Sequence, residues 1–369
     1  MTHKSKALGI ALVLFGSVAL VACDKKTDET KTTKEEIKQE ETPKPEAKSP
    51  LEEAREKAGA FAALPKNWAK EGQTKEQEDL GRMLYYETRM SKNHDISCNS
   101  CHMLDSYGVD NTPTSTGHKK VLGSRNSPTV YNAAGHVAQF WDGRAKDVEE
   151  QAKGPILNPV EMAMPDSDQV EKVLTSIPGY VEAFKKAFPD QENPVNYENM
   201  SIAIGAFERN LATPAKWDKF LEGDDKALSE DELKGFNLFI AKGCVACHNG
   251  ALVGGSTFQK VGAVKPWPNQ VDQGVFEVSK KDTDKMMFKT PSLRNVEKTG
   301  PYFHDGSVKE LDKAVKMMGE YQLGQTISDD EAKLIVAWLG SLTGEVDKDY
   351  VKKPELPENG PDTPAPDPN

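Results

Sequence analysis

A mainly α-helical chain built as two tandem, duplicated domains is what this sequence of 369 residues predicts. Three observations carry the prediction. The pattern Cys-x-x-Cys-His occurs twice, as Cys98-Asn99-Ser100-Cys101-His102 and as Cys244-Val245-Ala246-Cys247-His248. Two further blocks repeat at one common offset of 163 residues: Asn126–Asn132 against Lys289–Asn295, and Phe140–Gly143 against Phe303–Gly306. Helix signals recur along the chain, whereas strand signals are poor.

Each pentapeptide is the attachment signal of a c-type haem. The two thiols bond to the porphyrin, and the His that follows becomes the proximal iron ligand. Together the motifs use every cysteine except Cys23. The alternatives are redox dithiols or zinc half-sites. A structural zinc would want a second Cys or His pair at short spacing, and none follows either motif. Two covalently bound c-type haems are therefore expected. Each should sit in a cytochrome c-like domain, a few helices wrapped round the haem.

Residues 1–22 read as a secretory signal. Lys4 and Lys6 precede an apolar run, Ala7–Ala22, that is short for a membrane span and lacks a stop-transfer pattern. The run ends in Leu20-Val21-Ala22-Cys23, which resembles a lipoprotein box. Cys23 is then the first mature residue and carries lipid chains sufficient for stable anchoring. An ordinary signal peptide cut nearby is the alternative, and either implies export to the periplasm. Residues 23–50 are Lys, Glu, Thr and Pro with almost no apolar side chains, so they are expected to form a disordered tether. Asp24 resembles the inner-membrane retention signal of some bacteria.

The first haem domain is expected over 51–211, its repeat starting near 66, and the second over 212–345. Thr74–Gln77 is a capping box ahead of Leu80, Met83 and Leu84. Ser229–Glu232 repeats that box ahead of Leu233, Phe236 and Ile240. Gly81 to Cys98 is 17 residues and Gly235 to Cys244 is 9, so the first copy carries about 8 extra. Further helical stretches are Glu171–Thr175, Asn199–Asn210 and Asp330–Leu342. Residues 346–369 form a Pro-rich tail, expected to be extended from Lys353 onward.

The formal charge is −11, or −13 without the signal segment. No basic stripe points to nucleic acid. An acidic surface suits a basic soluble partner through electrostatic steering.

The sixth iron position decides what each haem does. A Met there raises the potential, and an open or weakly held position admits a substrate. The second half offers Met286, Met287, Met317 and Met318, with His304 as its one His besides His248. The first half offers His94, His118 and His136. Composition thus suggests a His/Met haem in the second half and a His/His or labile haem in the first. Any single Met here also suits the core, and any single His also suits an ordinary hydrogen bond.

Gly117-His118, Arg125–Val130, Ala138–Arg144, Gln151–Pro155, Thr299–Gly306 and Met317–Gly319 resemble the bacterial di-haem cytochrome c peroxidase family. The resemblance covers roughly residues 70–345. It implies that His118, sixteen residues after His102, is the releasable distal ligand of the peroxidatic haem. Met318, fourteen after His304, is the implied axial ligand of the high-potential haem, with Met317 the alternative one position away. His304 belongs to the same haem site. The resemblance also implies that Trp141 lies between the haems and that Glu161 with Gln151 forms the polar pair of the peroxide pocket. Asn126 by its side chain, and Thr299 and Pro301 by their carbonyls, are the implied ligands of a calcium ion between the domains; such oxygens suit a hard cation. A homodimer is implied as well.

The implied reaction is reduction of hydrogen peroxide to water by electrons from a small c-type cytochrome, relayed from the His/Met haem to the peroxidatic haem. Glu161 would act as general base and then acid. Its apolar, Pro-bounded loop should raise its pKa by burial. Some family members need prior reduction of the second haem and others do not. Three rivals stand beside this reading. One is a di-haem electron carrier, in which Glu161 and Gln151 have no purpose. Another is the protein-modifying branch, which places Tyr where Met318 stands. The last is a tethered redox sensor.

Overall fold

Ser and Thr caps start the helices on which everything else is mounted. The computed structural model describes residues 47–369. The expected signal segment, the lipid site at Cys23 and the tether up to residue 46 lie outside the described residues. The first half contains α1 (Pro50–Lys57), α2 (Lys75–Tyr85), α3 (Cys98–Cys101), α4 (Val148–Leu157), α5 (Ser167–Thr175), α6 (Pro178–Ala187) and α7 (Tyr197–Glu208). The second contains α8 (Lys216–Leu221), α9 (Glu230–Ala241), α10 (Phe276–Ser279), α11 (Leu311–Met317) and α12 (Asp329–Gly340). Capping boxes open α2 at Thr74 and α9 at Ser229, as their sequences predict. A third opens α12 at Ser328 and a fourth opens α1 at Ser49, inside the stretch read as tether. One short antiparallel ribbon, β1 (Phe258–Lys260) with β2 (Met287–Lys289), was not expected; it sets Phe258 opposite Lys289.

The duplication is visible in the packing. In each half the helix preceding the haem motif crosses the last long helix of that half. A Cβ on Gly81 of α2 would fall 1.8 Å from the Ala203 carbonyl oxygen of α7, and one on Gly235 of α9 would fall 1.9 Å from that of Leu334 in α12. Only glycine permits such close backbone approach. The two cores differ in kind. Leu80, Leu84, Val173, Phe184 and Ile204 fill the first. Aromatic rings dominate the second, where Trp217 lies 4.9 Å from Phe236 and 5.4 Å from Trp338.

Thr213 pins the halves together. Its buried hydroxyl accepts from Nδ2 of Asn132 at 2.8 Å and from Nδ2 of Asn295 at 2.9 Å. These asparagines are equivalent in the repeat, and both adopt a left-handed backbone. Thr213→Val would leave two buried amide donors without their acceptor, each worth about 1–3 kcal/mol. We expect a loss of about 2–4 kcal/mol in urea unfolding, with Thr213→Ser close to wild type; a loss below about 1 kcal/mol would show that the pin bears little.

The chain crosses between halves at both ends of the described segment. Helix α1, placed with the first domain by sequence, packs on α9: Asn237 donates to the Pro50 carbonyl at 2.9 Å, and Arg55 lies 3.9 Å over the Phe220 ring. The Pro-rich tail runs back over the first half. Tyr86 donates to the Val351 carbonyl at 2.6 Å, Arg89 to that of Pro357 at 2.8 Å, and the Asp367 N–H to that of Lys92 at 2.8 Å. No helix among the described residues is long and apolar enough to cross a membrane.

Candidate haem sites

Cys98 to Cys101 form a single helical turn, α3, and the His102 N–H closes it on the Cys98 carbonyl at 2.9 Å. The turn puts both thiols and the histidine together at one end of α2, where Tyr85 donates to the His102 carbonyl at 2.7 Å. The second motif repeats this: the His248 N–H bonds the Cys244 carbonyl at 3.0 Å. Burial pushes both thiols of each pair up, Cys101 and Cys244 to about 11. A redox dithiol needs a lowered thiol pKa, so these surroundings disfavour that alternative. No group of three or more Cys, His, Asp or Glu among the described residues could hold a metal ion, so the zinc reading lacks its further ligands.

The histidines fit iron ligation. Burial pushes His248 down to about 4, against the opposing pull of the Val253 and Pro291 carbonyls. Burial likewise lowers His102, opposed by the Pro128 and Gly108 carbonyls. Both therefore favour the neutral ring that a metal ligand requires. Pro128 and Pro291 are repeat equivalents, so the two rings are held alike. The His248 Nδ1 sits 3.3 Å from the Val253 carbonyl, leaving Nε2 for another partner.

One large cavity gathers Cys244, Cys247, His248, His304 and Met318. Met317 lies elsewhere, against the Trp267, Met286 and Phe288 cluster. Successive helical residues point about 100° apart, which is how the two neighbours come to lie in different surroundings. Met318 opens a single π-helical turn, Met318–Gln322, the kind of helix irregularity often found at functional sites. Asn126, Thr299 and Pro301 line the same cavity. The Asn126 amide donates to the Thr112 carbonyl at 3.0 Å, which leaves its oxygen for other use.

Trp141 spans the two halves. Its indole N–H donates to the Asn126 carbonyl at 2.9 Å, and its own carbonyl accepts from the Lys289 N–H at 2.8 Å. Its ring meets that of His304 edge-on at 6.4 Å. The buried His304 also stacks on Phe288 at 4.2 Å.

On the first side, His118 is buried and its Nε2 has no hydrogen-bond partner. It sits on a tight loop closed by a bond from the Gly117 N–H to the Val121 carbonyl at 2.8 Å. The His118 N–H donates to the Glu161 carbonyl at 2.8 Å. A Cβ on Gly117 would lie 1.9 Å from the Val160 carbonyl oxygen, so the two loops touch backbone to backbone. Glu161 is half-buried, and its carboxylate accepts from Asn158 at 2.7 Å. Burial raises its pKa, against the opposing pull of the Arg144 cation and the Asn158 hydrogen bond. Gln151 lies half-buried on α4, the helix whose end turns into the Glu161 loop.

The three first-half histidines part company. His94 lies on the loop beside Asn93 and Asp95. His136 lines the cavity of the second half instead, because the chain crosses there: the Val137 N–H bonds the Gly255 carbonyl at 2.8 Å. Two residues escaped notice in the sequence. Glu208, buried near Cys98, is pushed up to about 8 by burial, and Lys289 is buried beside His136. Lys289 belongs to the repeat block, but nothing in that pattern marks it, or Glu208, as buried.

Comparison with known proteins agrees with this geometry. Residues 75–226 match the family model described as di-haem cytochrome c peroxidase, and residues 233–343 match that of cytochrome c. The chain is 49% identical over 292 residues to the cytochrome c551 peroxidase of Nitrosomonas europaea, covering 79% of this chain and 86% of that protein. The cytochrome c551 peroxidase of Pseudomonas aeruginosa is 47% identical over 79% of this chain and 85% of its own length. A solved MauG-like protein associated with microbial copper homeostasis shares the fold, with a TM-score of 0.69 at 24% identity over 79% of this chain and 97% of that one. With the haem-attachment turn present twice, and relatives that match along most of their length, the chain belongs to the di-haem cytochrome c peroxidase family.

Proposed function

We propose that the chain reduces hydrogen peroxide to water at the first haem, with electrons from a small c-type cytochrome entering through the second. Hydrogen peroxide, two protons and two electrons give two waters, and each donor cytochrome supplies one electron. The observation that carries this reading is the cavity holding Cys244, Cys247, His248 and Met318, which extends to Trp141 and Asn126 of the first half. Cys98, Cys101 and His102 would hold the first haem, with His118 on its distal side. Cys244, Cys247, His248 and Met318 would hold the second. Bound haem supplies the one-electron chemistry and the site of O–O cleavage.

The chain's own residues supply the rest. Glu161 takes a proton from the inner peroxide oxygen and returns it to the outer one. The Gln151 amide orients the peroxide by hydrogen bonding. His118 covers the first site until its loop moves. That motion breaks the bond between the His118 N–H and the Glu161 carbonyl, so opening the gate also frees the acid–base loop. Trp141 links the halves for electron transfer. The same proposal includes calcium on the Asn126 side chain with the Thr299 and Pro301 carbonyls, a homodimer, and export with a lipid on Cys23.

Stopped-flow peroxide reduction by a reduced small c-type cytochrome tests the reading, on haem-loaded protein in the fully oxidised and half-reduced states. Fast turnover only after half-reduction supports a gate at His118. His118→Gly should then react in both states; a variant that still needs priming would refute the gate. No turnover in either state, with both haems in place and calcium present, would leave a di-haem electron carrier.

A further inference from the structure

The repeated block Lys289–Asn295 differs in charge from Asn126–Asn132 at two places, and one of them, Arg294 against Tyr131, is neutralised by Asp218. The repeat equates Lys289 with Asn126, so the second half has a cation where the first has a neutral amide. Lys289 closes β2 and is 5% exposed. Among the described residues no carboxylate lies within ion-pair distance of it. Its ammonium donates to His136 Nδ1 at 2.9 Å, and the other ring nitrogen, Nε2, is buried without a partner. Both side chains line the cavity that holds Cys244, Cys247 and His248.

The nearby charges are already engaged with one another. Asp142 accepts from Arg125 at 2.5 Å and from Arg144 at 2.9 Å, and Arg125 also bonds Asp272 at 2.6 Å. Asp142 favours the charged form of Lys289 but does not touch it, and burial pushes the ammonium down to about 7. A buried cation without a contacting counter-ion is costly, and so is an unpartnered imidazole nitrogen. An anion entering the cavity would satisfy both. The group expected there carries two carboxylates on its porphyrin edge.

We propose that Lys289, backed by His136, is the counter-cation of a propionate on the second haem, and that its charge raises that haem's reduction potential further than methionine ligation does by itself. This rests on haem attachment at Cys244 and Cys247. A fixed positive charge near the iron favours the state with one more electron. The charge acts in the direction that lets the second haem take electrons first.

Potentiometric titration of the holoprotein tests this, with each haem followed by its own absorption. Lys289→Met should weaken electron binding at the second haem about tenfold, a fall of about 59 mV for a one-electron couple. The first haem should move far less, and Lys289→Arg should restore the second. Lys289→Gln, which keeps a donor without the charge, makes the same test if Lys289→Met does not load haem. An unchanged second-haem potential in either variant, or a shift equal at both haems or confined to the first, would overturn the proposal. Mass analysis of the wild type separates this from the underlying reading: haem missing from Cys244 and Cys247 would overturn the haem assignment itself.

Discussion

Glu161→Gln is expected to lower peroxide turnover by about 10²–10⁴-fold while both haems stay attached. The amide keeps the size of the carboxylate but cannot take up a proton. The Glu161 loop is fixed by the Asn158 side chain and by the His118 N–H. The pKa of Glu161 is raised by burial. As a general base it works in the ionised form, so wild-type turnover should fall as pH falls through that raised pKa. The variant should lose this acid limb as well as the rate. A loss under about tenfold, or an acid limb that survives unchanged, would transfer the proton-moving role to another group.

Arg294→Met is expected to destabilise the fold by about 3–5 kcal/mol, because it strands a buried carboxylate. Arg294 is 1% exposed as a side chain and grips Asp218 at 2.7 and 2.8 Å. Asp218 also accepts from the backbone N–H groups of Leu64 and Ala215, each at 2.7 Å. Arg294 further donates to the Ala251 carbonyl at 2.8 Å, just beyond the second haem motif. One ion pair therefore ties together the segment between α1 and α2, the start of α8 and the haem loop of the second half. Removing the cation leaves the anion with two backbone donors and no counter-charge. Adding Asp218→Asn should recover part of the loss, since it removes the stranded charge. Chemical denaturation of the holoproteins measures both; a single-variant loss below about 1 kcal/mol would mean that water reaches Asp218.

Much of the molecule was legible locally. Capping boxes at Thr74 and Ser229 start α2 and α9, because a side-chain cap needs only the next three residues. The two attachment motifs specify their own turns for the same reason. Gly81 and Gly235, used as spacing markers in the repeat, prove to be the points where helices cross at backbone contact. The β ribbon escaped because three-residue strands carry no periodicity to read.

Other features depended on packing across the chain. Composition does not separate Met317 from Met318, although the resemblance favours Met318; in the fold Met318 lines the cavity and Met317 packs against the Trp267 cluster. His136 lies in first-half sequence but faces second-half chemistry, and α1 and the tail each pack on the half remote from them in sequence. Lys289 looks like an ordinary strand-end lysine until burial beside His136 is seen. By itself the sequence determined the fold class, the duplication, the haem-attachment residues and the family, since short-range motifs and a common repeat offset encode them. Only the tertiary structure decided which side chains share a cavity and which buried charges lack a partner, because those follow from contacts between residues tens to hundreds of positions apart.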